Sequence, residues 1–271
     1  ASRAVVRRGL EVFGLAFLFR IQAWVLGWSS PRLILKVDIL NIMGPSIMAA
    51  ASIWGALRSV KGRLAGFAAA TLAVTLVTPI VRNMSLLSAL PDPIEAYLRP
   101  VGDLSNFVFF PWAGFVFAGA IVGLILDAIG TRRQEHLANA GFVLGGIGLA
   151  VASYELSFLP TWYQQSHFWT TSPTFFYLRL GLMIAAVGLA YAWDLRPGAA
   201  HKWSPLQQLG RTSLFIYWIH VEMVYGVISL PLRKRLSFEM SWVALAIFCL
   251  FMLWCSIYKD RVVARWKAQS L

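Results

Sequence analysis

Charge is scarce in this chain of 271 residues: Asp, Glu, Lys and Arg make up 13%, while hydrophobic residues make up 58%. Soluble domains carry about 25% charged residues, so an ordinary water-soluble fold is excluded. Acidic residues are scarcer still, 12 against 24 basic, giving a net charge of +12. In a soluble chain that imbalance would suggest nucleic acid. Here the basic residues sit in short loops between apolar runs, the pattern of membrane topology, which argues against nucleic-acid binding. Only two cysteines occur. Cys249 and Cys255 lie on different faces of the last apolar run and imply neither a disulfide nor a metal framework. P-loop, GxGxxG and HExxH signatures are absent, so soluble cofactor-binding folds find no support and no metal is expected. Residues 1–8 lack the basic start, apolar middle and cleavage site of a signal peptide. Ala1 is not an initiator Met, and VVRRG (residues 5–9) resembles the cytoplasmic edge of a helix that follows others, so the chain is expected to lack its beginning.

What is abundant is apolar sequence in long runs. A helix needs about 20 apolar residues to cross the hydrocarbon core. Eight stretches qualify: 9–28, 38–57, 63–81, 106–126, 138–156, 174–193, 209–230 and 240–258. The expected fold is all-α, a polytopic transmembrane helical bundle, with residues 1–271 as a single transmembrane domain. The third stretch is expected to end near Thr78 and Pro79. Fourteen Lys and Arg residues fall in the loops on the side of the N-terminus and seven in those on the other side. The positive-inside rule then predicts a multi-pass protein with both ends cytoplasmic, and the inner membrane is its expected location.

Ionisable residues inside such spans are costly and face a partner, a cavity or a substrate route. Arg211 stands at the cytoplasmic start of the seventh span and Arg179 near the external start of the sixth, where each can snorkel. Arg20 is deeper, and Asp38 at the start of the next span is its candidate partner. His220 sits near the middle of the seventh span. Ser213, Tyr217, His220 and Val224 share one face of that helix, and Glu222 lies on another. Burial favours neutral imidazole, which suits both a general base and plain hydrogen bonding to a neighbouring helix. His136 and His201 stand among cytoplasmic charges.

Two external segments look more than connective. Residues 82–105 are rich in proline and acid and lead into Phe109, Phe110, Pro111 and Trp112. Residues 157–173 carry Trp162, Tyr163, Gln164, Gln165, His167 and Trp169. Their aromatics fit either an interfacial belt or a sugar-stacking platform. Gly114, Gly119 and the cluster Gly141, Gly145, Gly146 and Gly148 read as close helix-packing positions.

The run LGRTSLFIYWIHVEMVYG (209–226) resembles the penultimate-helix signature of the heparan-alpha-glucosaminide N-acetyltransferase catalytic-domain-like family, within a wider set of transmembrane acyltransferases. The matching positions are Leu209, Gly210, Ser213, Leu214, Tyr217, His220 and Glu222. RRGLEVFGLAFLFR (7–20), VDILNIMG (37–44, with Asn41 where Gln is usual) and FFPWAGFVFAG (109–119) are similar to three further family segments. TSPTFFYLRLG (171–181) is a looser match.

The resemblance implies transfer of an acetyl group from cytoplasmic acetyl-CoA to an amino or hydroxyl group of a glycan or amino sugar. It implies His220 as a supporting catalytic residue with Asp38 lining the passage. Arg211, Arg132, Arg133 and Lys202 would meet the CoA phosphates, and Trp112, His167, Tyr217 and Glu222 the acceptor. It also implies that an Arg-Gly helix and a His-bearing catalytic segment precede Arg7. A transporter or flippase for a polar or lipid-linked solute is the alternative, weakened because the two halves show no repeat. A scaffold whose polar residues only pair helices is the third. Subunit pairing as a homodimer stays open.

Overall fold

Apolar runs of this length must satisfy their backbone groups internally, and helices do so within a single segment. The computed structural model describes residues 2–27, 30–196, 203–231 and 235–269. Among them are ten α-helices and no strand; the nearest approach to a sheet is an isolated bridge between Val37 and Ser105. The helices are α1 (Ser2–Gly27), α2 (Ile39–Ala56), α3 (Val60–Asn83), α4 (Asp92–Leu98), α5 (Phe109–Asp127), α6 (Arg132–Leu156), α7 (Pro173–Asp194), α8 (Pro205–Arg211), α9 (Ser213–Tyr225) and α10 (Phe238–Gln269). Seven of these, α1, α2, α3, α5, α6, α7 and α10, are long and apolar enough to cross a membrane. The protein is a multi-pass membrane protein.

Local chemistry sets the helix starts. Asp38 accepts from the Ile39 amide and Asn41 accepts from the Asp38 amide, a reciprocal cap that starts α2. Thr131 and Gln134 cap α6 in the same way, so that helix begins at Arg132, a turn and a half before the apolar run. α3 does not stop at Pro79 as expected but continues to Asn83. The hydroxyls of Thr71, Thr75 and Thr78 donate back to carbonyls one turn earlier. Such side chains let membrane helices tolerate proline.

The chain divides into two compact units: residues 1–20 with 30–196, and residues 21–29 with 197–271. In the first, Phe67 and Val74 of α3 pack against Ala113, Phe117 and Leu124 of α5. α6 and α7 approach so closely that a Cβ on Gly146 would lie 2.5 Å from the Gly181 carbonyl oxygen, and one on Gly181 equally near that of Gly146. Gly114 sits against Phe176. A Cβ added at Gly119, Gly141, Gly145 or Gly148, expected to pack, would meet no neighbouring element within 4 Å. The proline-rich stretch before α5 is itself folded: α4 carries an Arg99–Glu95 pair, Arg32 pairs with Asp92, and Val37, Ile42, Ala96 and Leu104 form a small core.

The second unit corrects the expectation of one continuous helix over 209–230. The chain breaks at Thr212 (φ −108°, ψ 19°), which separates α8 from α9. The buried Thr212 hydroxyl lies 2.6 Å from that of Ser256 in α10. Gln208 donates to both Ser256 (2.9 Å) and Asp260 (2.7 Å). These polar contacts hold the break against α10. The Trp218 indole donates to Gln22 at 2.7 Å, tying α9 to the last turns of α1.

Candidate functional site

The first unit holds a buried ionic hub. Arg20 Nη2 reaches Asp38 Oδ2 at 2.6 Å, with the two side chains only 12% and 7% exposed. The pairing expected between consecutive antiparallel helices is therefore present. Asp38 Oδ1 is the α2 cap, so both carboxylate oxygens are engaged. Arg20 Nε is buried and makes no hydrogen bond among the described residues. Asn41 extends the hub by donating to Tyr97 Oη at 3.3 Å. Burial pushes the Tyr97 phenol above its ordinary range, partly offset by Asn41. Burial likewise pushes the nearby Lys36 ammonium down, and the Arg20 guanidinium adds to that effect. Asp38 thus ties Arg20 to the start of α2.

The same unit carries two cavities. The C-terminal end of α3 and the segment between α6 and α7 contribute to both. One, of about 290 Å³, is lined by Trp112 with Arg82, Asn106, Trp169, Thr170 and Arg179 among others. The second, about 640 Å³ and open, is lined by Asn83, Trp162, Tyr163, Gln164 and Gln165. Asn83 donates to the Gln165 carbonyl and Tyr163 to that of Leu76, which pins the segment to α3. Trp162 is 99% exposed. Burial raises the Tyr163 phenol above its ordinary range. His167 lines neither cavity. It is exposed, and its carbonyl accepts from the amides of Thr170, Thr171 and Ser172, shaping the turn into α7.

In the second unit, His220 Nδ1 lies 3.1 Å from the Ile216 carbonyl oxygen. A carbonyl only accepts, so Nδ1 carries the hydrogen and the neutral ring keeps its lone pair on Nε2. Tyr217 packs edge-on to the imidazole, with centroids 5.4 Å apart, as their shared face predicts. Glu222 lies on another face of α9, and its carbonyl accepts from Gly226 at the helix end.

The cations expected to meet CoA are distributed differently. Arg211 is exposed in the last turn of α8, while Arg132 and Arg133 are exposed at the start of α6 in the other unit. Lys202 lies outside the described residues, as does His201. A cavity of about 480 Å³ beside α8 is lined by Trp203, Gln208, Asp260 and Arg261. No group of three or more potential metal ligands occurs among the described residues.

Sequence reasoning missed Gln208, Ser256 and Asp260, because lone polar residues at the end of an apolar run carry no pattern. It also placed Arg82 among loop charges and Arg179 among snorkelling ones, although both line a cavity with Trp112.

Residues 1–151 match the family model described as heparan-alpha-glucosaminide N-acetyltransferase, catalytic. The matched region contains the segments 7–20, 37–44 and 109–119 and ends before 171–181 and 209–226. Comparison with curated proteins returned no match, and neither did comparison with solved structures. The match covers more than half of the chain, and the chain belongs to the heparan-alpha-glucosaminide N-acetyltransferase catalytic family, whose function is of membrane acetyltransferase type.

Proposed function

We infer that this protein transfers an acetyl group from acetyl-CoA to an amino or hydroxyl group of a glycan. The observation that carries the reading is the family match, and the arrangement of His220 supports it. In the reaction, the acceptor nitrogen attacks the thioester carbonyl. An N–C bond forms, the C–S bond breaks, and the nitrogen's proton passes to the departing CoA sulfur. His220 serves as a supporting base: with Nδ1 held by the Ile216 carbonyl, Nε2 can take that proton and return it. Tyr217 fixes the ring from one side. Arg211, Arg132 and Arg133 are each candidates to meet CoA phosphates. Lys202 belongs to the same proposal.

The two cavities favour a glycan as acceptor. Trp112, Trp162 and Tyr163 offer faces for stacking, and Asn83, Gln164 and Gln165 offer paired donors and acceptors. Glu222 and His167 remain proposed acceptor contacts. The inner membrane is the proposed location, and a homodimer is a further possibility of the same reading.

The test is label transfer. Protein reconstituted in vesicles is given acetyl-labelled CoA and a panel of amino sugars and neutral glycans. Label should pass to at least one acceptor, and His220→Gln should lower kcat about a hundredfold or more with little change in KM for acetyl-CoA. If no acceptor is labelled, or if the variant turns over at the parent rate, the reading fails.

A further inference from the structure

The open cavity of about 640 Å³ has no charged residue in its wall, and the wall is of two kinds. Pro79, Ile80, Met84 and Leu86 are apolar, whereas Asn83, Ser85, Gln164 and Gln165 are polar and uncharged. The hydrogen-bonding groups on offer suit hydroxyls. The Asn83 amide nitrogen is occupied by the Pro79 and Gln165 carbonyls, which leaves Oδ1 to accept. The side-chain amides of Gln164 and Gln165 make no hydrogen bond among the described residues, and each can donate and accept. A phosphate or carboxylate would find no cation here.

The apolar wall continues into the bilayer. Leu72, Leu76, Ile80 and Asn83 follow one another by four, four and three along one face of α3, and all are exposed. A stripe of apolar side chains therefore climbs a membrane-spanning helix and ends on a polar residue at the cavity. From Leu72 to Asn83 the rise is about 16 Å at roughly 1.5 Å per residue, close to one leaflet of a core about 30 Å thick. The segment after α6 adds exposed Phe158, Leu159 and Trp162, and Leu86 is exposed on the other side of the sequence gap. A free sugar would use the polar wall and leave the apolar one wet. An acyl chain on the stripe with a hydroxylated head in the cavity matches both.

We propose that this cavity seats the head of a glycolipid, an uncharged sugar carried on acyl chains, with a chain lying along the α3 face of Leu72, Leu76 and Ile80. As the seat of the acceptor it rests on the glycan-acceptor reading above and narrows that reading to a lipid-borne sugar. As a lipid site it does not, because binding can be measured without acetyl-CoA.

Protein in phosphatidylcholine nanodiscs is given monoglucosyl diacylglycerol, diacylglycerol or phosphatidylglycerol with brominated chains, at increasing mole fraction. Subtracting the signal of the Trp162→Phe protein isolates the fluorescence of Trp162, which bromine quenches on contact. The glucosyl lipid should half-quench it at a mole fraction about tenfold below either other lipid, the effect of one or two hydrogen bonds. Gln164→Ala with Gln165→Ala, both at exposed side chains, should remove most of that preference and leave quenching by diacylglycerol unchanged. In the Trp162→Phe background, Leu72→Trp reads the chain, and bromines deep in the acyl chain should show the same preference there. Equal quenching by the three lipids would mean that Trp162 only sits in the interface, and it overturns the proposal. A preference for phosphatidylglycerol overturns it too, as does a preference that survives loss of both glutamines. No preference at Leu72→Trp overturns the path assigned to the chain. Acetyl transfer to free amino sugars without this lipid preference would sink the proposal and leave the enzymatic reading intact; the preference without any transfer would do the reverse.

Discussion

Arg20 and Asp38 are the costliest pair in the first unit, since both are taken out of water and only their contact offsets the loss. Asp38→Asn retains a capping side chain but leaves the guanidinium without its counter-charge. It is expected to destabilise the protein by about 3–5 kcal/mol, seen as a fall in the thermal midpoint in detergent. Replacing the pair together, Arg20→Met with Asp38→Leu, should recover much of that loss apart from the cap. If Asp38→Asn melts with the parent, the pair is not a structural anchor. The pair was legible in the sequence because a charge inside an apolar run needs a partner and the next helix supplied one nearby. The coming together of Arg82 and Arg179 was not, because they are almost a hundred residues apart and only the packing of α3, α5 and α7 brings them to one cavity.

At the level of elements, glycine's meaning depends on which way it faces. Gly146 opposes the Gly181 backbone, so Gly146→Ala must separate α6 from α7 and should cost about 1–3 kcal/mol, in the range of overpacking. Gly145→Ala, one residue away with nothing within 4 Å, should be neutral or gain up to about 1 kcal/mol from helix propensity. Thermal melts of the two variants check this; equal losses would refute the assigned interface. Thr212→Val tests the break between α8 and α9. It removes the hydroxyl that meets Ser256, which keeps its hydrogen bonds with Gln208, at a cost of about 0.5–1.5 kcal/mol. Replacing Thr212 with no loss would mean that the break is held by something else. Periodicity located the helices well, but it missed this break, because hydrophobicity stays high across it and the cause is polar contact with a helix forty residues on.

For the molecule as a whole, the parity of crossings decides on which side of the membrane the C-terminal end of α10 lies. Among the described residues seven helices are long enough to span, whereas α9 has 13 residues, about 20 Å of rise against a core of about 30 Å. Together with α8 the segment from residue 205 to 225 is long enough to complete an eighth crossing despite the break. The positive-inside count favours eight, with residues near 259–267 on the same side as the loop before α6. In a cysteine-free background, Gly130→Cys and Lys267→Cys should resist an impermeant maleimide in intact cells, and Trp162→Cys should react. Labelling of Lys267→Cys from outside would show that α8 and α9 do not cross.

The sequence by itself determined the class of molecule and the positions of most spans, since apolar length and the placement of cations are properties of the chain taken locally. It also marked the individual residues out of place in hydrocarbon, Arg20 and His220 above all. Tertiary structure alone decided which glycines make contact, which cations face a common cavity, and where the run opened by Leu209 and Gly210 is interrupted. Those outcomes depend on helices distant in sequence that lie side by side. For the run from 209 to 226 the deciding groups are Ser256 and Asp260, whose hydrogen bonds with Thr212 and Gln208 hold the break that local helix propensity would not make.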